Sequence, residues 1–192
     1  MSKWGKYRNT VLIVFISGLF MGCGGSPTPQ DAPIAAVQGI TIDILSMLDT
    51  LVPVHTVPIP EDTPCFRLVS YFDAAGCTSC KLKELYIWRR LLASDSISSC
   101  LFVFNTSRME YPAQTLSTYR FDYPMYLDSS EMFARRYPQL ARRPEFYTFL
   151  LDRNNRVVLV GSPIGNPKMR ELYKATIARL RAYGGVLPAS QR

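Results

Sequence analysis

The sequence predicts an α/β domain, and three stretches carry that prediction. Residues 66–72 (FRLVSYF) are apolar and rich in β-formers, residues 81–92 carry apolar side chains at helical spacing, and residues 100–104 (CLFVF) form a second short apolar run. Two further runs, 146–151 (FYTFLL) and 157–160 (VVLV), flank Asp152-Arg153-Asn154-Asn155-Arg156, where Asn tolerates the positive φ of a tight hairpin. A last helix opens at Asn166-Pro167. Apolar residues make up 47% of the 192 positions, enough for a core, and the charged share of 19% is too low for a disordered chain.

The remaining elements follow in order. Residues 39–45 (GITIDIL) alternate, with Ile40, Ile42 and Ile44 on one side, which predicts a half-buried strand. Pro53, Pro58, Pro60 and Pro64 make residues 53–64 an extended loop. In the helix over 81–92, Leu82, Leu85, Trp88 and Leu92 recur every three to four residues. A short helix over 113–119 follows Pro112, residues 125–127 form a brief strand, and 130–137 form a helix. In the last helix, Asn166 is the cap, Pro167 stands in the first turn, and Met169, Leu172, Tyr173, Thr176 and Leu180 form the inner stripe. Gly184-Gly185 ends it.

The first 22 residues predict export. Lys3, Lys6 and Arg8 precede the apolar run 11–20 (VLIVFISGLF), which is too short to span a bilayer. Leu19-Phe20-Met21-Gly22-Cys23 then resembles a bacterial lipobox, whose Cys is lipidated and becomes the mature N-terminus. The competing reading is an ordinary secretion signal with an incidental Cys; in both, the protein leaves the cytoplasm and its disulfides persist. The expected organisation is a lipoprotein signal peptide over 1–22, a lipid-anchored linker over 23–38, one domain with an N-terminal strand extension over 39–185, and a tail over 186–192. Three of the 22 basic residues lie in the signal, which holds none of the 15 acidic ones, so the formal charge of +7 falls to about +4 in the remainder. No dense basic face interleaved with aromatics is present, which argues against a nucleic-acid partner.

The chemistry is concentrated in Cys77-Thr78-Ser79-Cys80, at a strand-to-helix junction. Peptide dipoles at a helix start favour negative charge, so a Cys there ionises more readily, and the thiolate is the nucleophile. Two intervening residues bring the second sulfur one turn along. Cys77 is then the attacking thiol and Cys80 the resolving one. Structural zinc wants four ligands, and one CxxC with the single histidine, His55 in the proline-rich stretch, does not supply them. A copper-delivery site would want CxxxC and a downstream His. A peroxiredoxin would want Thr three residues before its Cys, where Ala74 stands. The sequence therefore calls for no metal and no cofactor beyond the redox-active disulfide itself.

Residues 66–81 and 146–161 together resemble the TlpA-like thiol–disulfide oxidoreductases of the thioredoxin superfamily: strand, CxxC, helix, then Thr148-Phe149-Leu150-Leu151-Asp152 and its hairpin partner. The resemblance covers about residues 65–182. It implies a thioredoxin fold, a central mixed β-sheet flanked by helices. It also implies exchange with protein thiols and disulfides in the cell envelope, in the direction of reduction, with an upstream electron donor and a membrane reached through the lipid.

Several positions depart from that family. Gly76 stands where an aromatic residue is usual, and Tyr71 where many members bury an Asp, with Asp73 two residues on. The family's cis-proline falls at Phe146, and Pro144 is the nearest proline, so Pro144, Phe146 and Tyr147 are the expected substrate groove. In such a fold the strands that follow Cys65 and begin at Cys100 are parallel neighbours, which implies a structural Cys65–Cys100 disulfide; two buried thiols are the alternative. Arg135, Arg136, Arg142 and Arg143 are either a basic rim to the site or a solvated helix end. The rival function is a non-catalytic lipoprotein of the same fold, whose CxxC is a structural or sensing disulfide; Phe146 in the proline position favours it.

Overall fold

A computed structural model describes residues 34, 36–55, 64–73, 78–97, 99–106, 116–141 and 143–188, with the side chains of 44, 45 and 78–82 excepted. Six strands form one sheet: β1 Val52–His55, β2 Phe66–Asp73, β3 Cys100–Asn105, β4 Met125–Leu127, β5 Thr148–Asp152 and β6 Val157–Val160. Their spatial order is β1-β4-β3-β2-β5-β6. The helices are α1 Ile44–Leu48, α2 Thr78–Ser94, α3 Met132–Arg136, α4 Pro138–Ala141 and α5 Pro167–Ala182.

β2 and β3 run parallel, with Leu68 opposite Cys100 and Asp73 opposite Asn105. Parallel neighbours need a crossover, and α2 supplies it. On the other side β5 runs antiparallel to β2, with Phe66 opposite Asp152 and Ser70 opposite Thr148. Ser70 and Thr148 face each other across that pair, and their buried hydroxyls lie 3.1 Å apart. The central strands are covered on both faces, so they read as near-continuous apolar runs. Phe72, Phe102, Phe104 and Leu150 pack with Leu85 and Trp88 of α2 and with Tyr173, Ile177 and Leu180 of α5. The Trp88 ring meets Phe102 edge-on at 5.5 Å between centroids. On the opposite face, Val69, Tyr71, Val103 and Phe149 pack with Phe133, Tyr137 and Leu140 and with Ile42 and Met47 near α1.

Both expected turn chemistries are present in the C-terminal half. The Asp152 carboxylate accepts the N–H groups of Asn154 and Arg156, and Asn155 takes φ 58°. The Asn166 side chain accepts the Met169 N–H at 3.1 Å and caps α5. Gly184 and Gly185, at φ 63° and 95°, end it. At Gly185 a Cβ would also stand 2.9 Å from the Cys65 carbonyl oxygen, so the close approach of the two segments requires glycine.

The N-terminal part differs from expectation. Residues 39–45 make a single bridge, Thr41 with Arg156, in place of a strand. The Asp43 side chain then accepts the Ser46 N–H and starts α1, ending the extended run. Ile42 is buried as its alternation implied, but so is Val37, and the packed domain therefore reaches into the stretch expected to be linker. Pro53 lies in β1, not in a loop, because β1 is an edge strand and an edge tolerates the missing donor. The helix expected over 130–137 begins at Met132: the Asp128 carboxylate accepts the Met132 and Phe133 N–H groups at 2.7 and 2.8 Å, and Pro138 opens the separate α4. Leu172, placed in the inner stripe of α5, is 47% exposed, and Ile177 takes the core position. Of the expected 113–119 helix, residues 116–119 are helical and 113–115 lie outside the described residues.

Candidate active site at the start of helix α2

β2 is a central strand that ends at Asp73, and α2 begins at Thr78. Helix α2 therefore starts directly after Cys77, and Cys80 belongs to its first turn. That is the strand-to-helix junction expected from sequence, reached three residues earlier than the apolar periodicity indicated. Cys77 itself lies outside the described residues, as does Cys23, and of Cys80 the backbone alone is described. No acidic residue stands in the first turn of α2, so nothing there opposes the helix dipole's preference for a thiolate.

The described surroundings come from four elements. Tyr71, on β2, stacks on Phe133 at 4.7 Å and meets the Tyr147 ring edge-on at 5.2 Å. Burial, with Asp128 and Asp73 adding to it, holds the Tyr71 phenol well above its usual range, although a hydrogen bond with Asn105 acts the other way. The position where the family buries an acid is thus a neutral phenol in an aromatic cluster. The carboxylate at this end of β2 is Asp73, half-buried, and it accepts the Tyr147 hydroxyl at 3.3 Å. Burial and the neighbouring Asp73 charge raise the Tyr147 phenol too. Asp128, fully buried at the end of β4, was not singled out from sequence; an Asp four residues before a helix start was the available signal.

The expected groove has a different form. Pro144–Phe146 is a 3-10 turn in which the Phe146 and Tyr147 N–H groups donate to Arg143 and Pro144 carbonyls. The Tyr147 carbonyl accepts the Tyr71 N–H at 2.7 Å. Phe146 is 4% exposed, a core residue, and among the described residues no peptide bond is cis, the Arg143–Pro144 bond included. Of the three groove residues, Tyr147 reaches the end of β2 through its hydrogen bond to Asp73. The phenylalanine at 146 packs inward because it has the apolar bulk that a proline lacks.

The Cys65–Cys100 bond is corrected by the register. Cys100 pairs with Leu68, three residues beyond Cys65, which at about 3.3 Å per residue sets the two Cα atoms roughly 10 Å apart along the strands alone. A disulfide needs less than about 7 Å. The two thiols are accordingly separate: Cys65 is half-buried, 3.7 Å from the Arg153 guanidinium, and Cys100 lies in the core, where burial pushes its thiol up to about 12.

Two arginines of the expected basic rim are paired with carboxylates. Arg136 reaches the Asp43 carboxylate at 3.3 Å and Arg143 the Glu145 carboxylate at 3.8 Å, both pairs exposed. Arg135 donates to the Ser130 carbonyl, and Arg142 lies outside the described residues. His55 ends β1, far from the CxxC in sequence.

A β-α-β entry around the CxxC, an antiparallel hairpin beside it and a terminal helix define a thioredoxin fold. Solved structures bear this out. Peroxiredoxin Q of Xanthomonas campestris is 15% identical, over 73% of this chain and 97% of that one, with a TM-score of 0.52. The bacterioferritin comigratory protein of Xanthomonas campestris is 16% identical, over 76% and 99%, with a TM-score of 0.51. StoA from Bacillus subtilis is also similar, at 16% identity over 59% and 85%, with a TM-score of 0.43. No family model matches the chain, and no curated protein matches it in sequence. Among the described residues no helix is long and apolar enough to cross a membrane.

Proposed function

We propose that this chain is a thiol–disulfide oxidoreductase that reduces protein disulfides in the cell envelope, held to a membrane by a lipid on Cys23. The observation that carries the reading is the start of α2 directly after Cys77, at the end of a central strand. The Cys77 thiolate attacks one sulfur of a partner disulfide and the other partner sulfur leaves as a thiolate. The Cys80 thiolate then attacks Cys77 of the mixed disulfide and releases the second partner sulfur. Cys77 and Cys80 end as a disulfide, the partner has gained two electrons, and an external dithiol donor resets the pair. Asp73, hydrogen-bonded by Tyr147, ends the strand that leads into the motif, four residues before Cys77.

One observation favours the rival, a structural or sensing disulfide: the turn before β5 uses its own N–H groups and offers no open strand for a partner. Insulin reduction separates the two. The enzyme reading expects turnover that drops at least about 100-fold in Cys77→Ser, and turnover no faster than the uncatalysed dithiol reaction would decide for the rival. Tethering has its own test: Cys23→Ser should move the protein out of the membrane fraction and abolish fatty-acid labelling, and a variant that stays membrane-bound contradicts the anchor.

A further inference from the structure

Helix α2 carries a second feature on its outer side. Beyond the first turn, Tyr86 and Ile87 are neighbouring large apolar residues, 43% and 48% exposed. They line an open groove of about 540 Å³ together with Leu91 and with Pro163 and Ile164 from the loop between β6 and α5. The charged residues that line it are both arginines, Arg90 and Arg170. Arg90 lies over the Tyr86 ring, 5.9 Å from its centroid. Arg170 is fixed by Asp95 at 2.6 Å, whose side chain is 5% exposed while that of Arg170 is 37% exposed, so the groove meets the guanidinium and not the carboxylate. The N-terminus of the 16-residue α5 opens at the same place and adds positive potential.

The shape is apolar inside and cationic at the edge. From Cys80 to Ile87 the helix rises about 10 Å, so a partner covering a standard interface patch would span both the CxxC and the groove. The turn at Pro144–Phe146, in contrast, has its N–H groups engaged. We propose that the groove docks the protein whose disulfide is exchanged, through a peptide segment in which a bulky aliphatic or aromatic residue is flanked by acidic ones. The apolar side chain fills the space between Ile87 and Ile164, and the carboxylates meet Arg90 and Arg170. The proposal rests on the redox reading above for what the partner is, but the binding it describes does not need working cysteines.

The test therefore uses the full-length chain carrying Cys77→Ser and Cys80→Ser, which cannot form the exchange disulfide. Three fluorescein-labelled synthetic peptides share one Leu-Phe-Leu centre and differ in flanks: Glu, Gln or Lys. Anisotropy titrations should place the Glu-flanked peptide at least tenfold tighter than the Lys-flanked one. Ile87→Asp should weaken the Glu-flanked peptide at least fivefold, and Arg90→Glu should remove or invert the preference for acidic flanks. Both residues are exposed, so neither change threatens folding. Equal affinity for the Glu- and Lys-flanked peptides, no binding of any of the three, or an Ile87→Asp variant that binds like its parent would overturn the groove assignment. Failure of the chain with both cysteines present to reduce insulin, with peptide binding intact, would remove the redox reading and leave the groove standing.

Discussion

Helix α2 has two ends, and each has a cysteine near it. At the first, the helix starts directly after Cys77, holds Cys80 in its opening turn and carries no acidic residue there. At the second, the chain turns through Ser96 at φ 52°, Arg170 clamps Asp95, Arg181 donates to the Ser96 carbonyl, and β3 then begins with Cys100 inside the core. The same side chain has opposite prospects at the two ends. A thiol beside a helix start is favoured as the anion, whereas a thiol surrounded by Leu, Phe and Trp is held in its neutral form. Position in the fold, and not the count of cysteines, decides which of them can react.

Thiol modification of the native protein sharpens that contrast most. With its thiol pushed up to about 12, Cys100 is about one part in ten thousand thiolate at pH 8, against about a quarter for an ordinary thiol near 8.5. Iodoacetamide should therefore label Cys100 at least about a thousandfold more slowly than reduced Cys77 in the folded protein, and at a comparable rate in denaturant. Peptide mapping by mass spectrometry reads both rates. Labelling of Cys100 at a rate within tenfold of Cys77 in the native state would break the comparison. The same map after oxidation should show Cys65 and Cys100 alkylated after unfolding, as the register requires.

A smaller effect belongs to the clamp at the far end of α2. Arg170 lowers the Asp95 pKa, chiefly by its hydrogen bond, with its charge and that of Lys174 adding to it. A depressed carboxylate contributes stability that is present above the ordinary carboxylate range and lost as pH falls through the lowered value. Since the guanidinium is partly exposed and screened by solvent, Arg170→Ala should lower stability only slightly at pH 7. The two proteins should converge in urea unfolding as pH falls through the lowered Asp95 value. A gap that stays constant down to pH 2 would mean that Arg170 stabilises through packing alone.

Much of this fold was legible because local chemistry and tertiary context agree over its C-terminal half. The Asn155 turn, the Asn166 cap and the apolar runs of β5 and β6 each have a short-range cause. The N-terminal part departs from its sequence pattern because its decisive contacts are distant. Ile40 and Ile42 alternate as in a strand, but the Asp43 side chain turns the chain into α1, and the segment rests on β6 residues more than a hundred positions away. Pro53 predicts a loop because its edge position cannot be seen along the chain. At the site, the CxxC and its helix were visible in sequence, and the Cys65–Cys100 pairing failed for lack of register. Neighbouring strands satisfied the lateral spacing while a three-residue offset placed the sulfurs out of reach. The Asp73–Tyr147 contact spans 74 positions and has no sequence signature.

The central claim is that Cys77 attacks and Cys80 resolves, and covalent trapping tests it most directly. Each single variant is expressed in cells that export it, thiols are quenched in acid, and mixed disulfides are resolved by non-reducing electrophoresis. Cys80→Ser should accumulate partner proteins bound through Cys77, because the thiol that would release them is gone, while Cys77→Ser should accumulate few. Equal trapping by the two variants, or trapping by neither, would contradict the assignment.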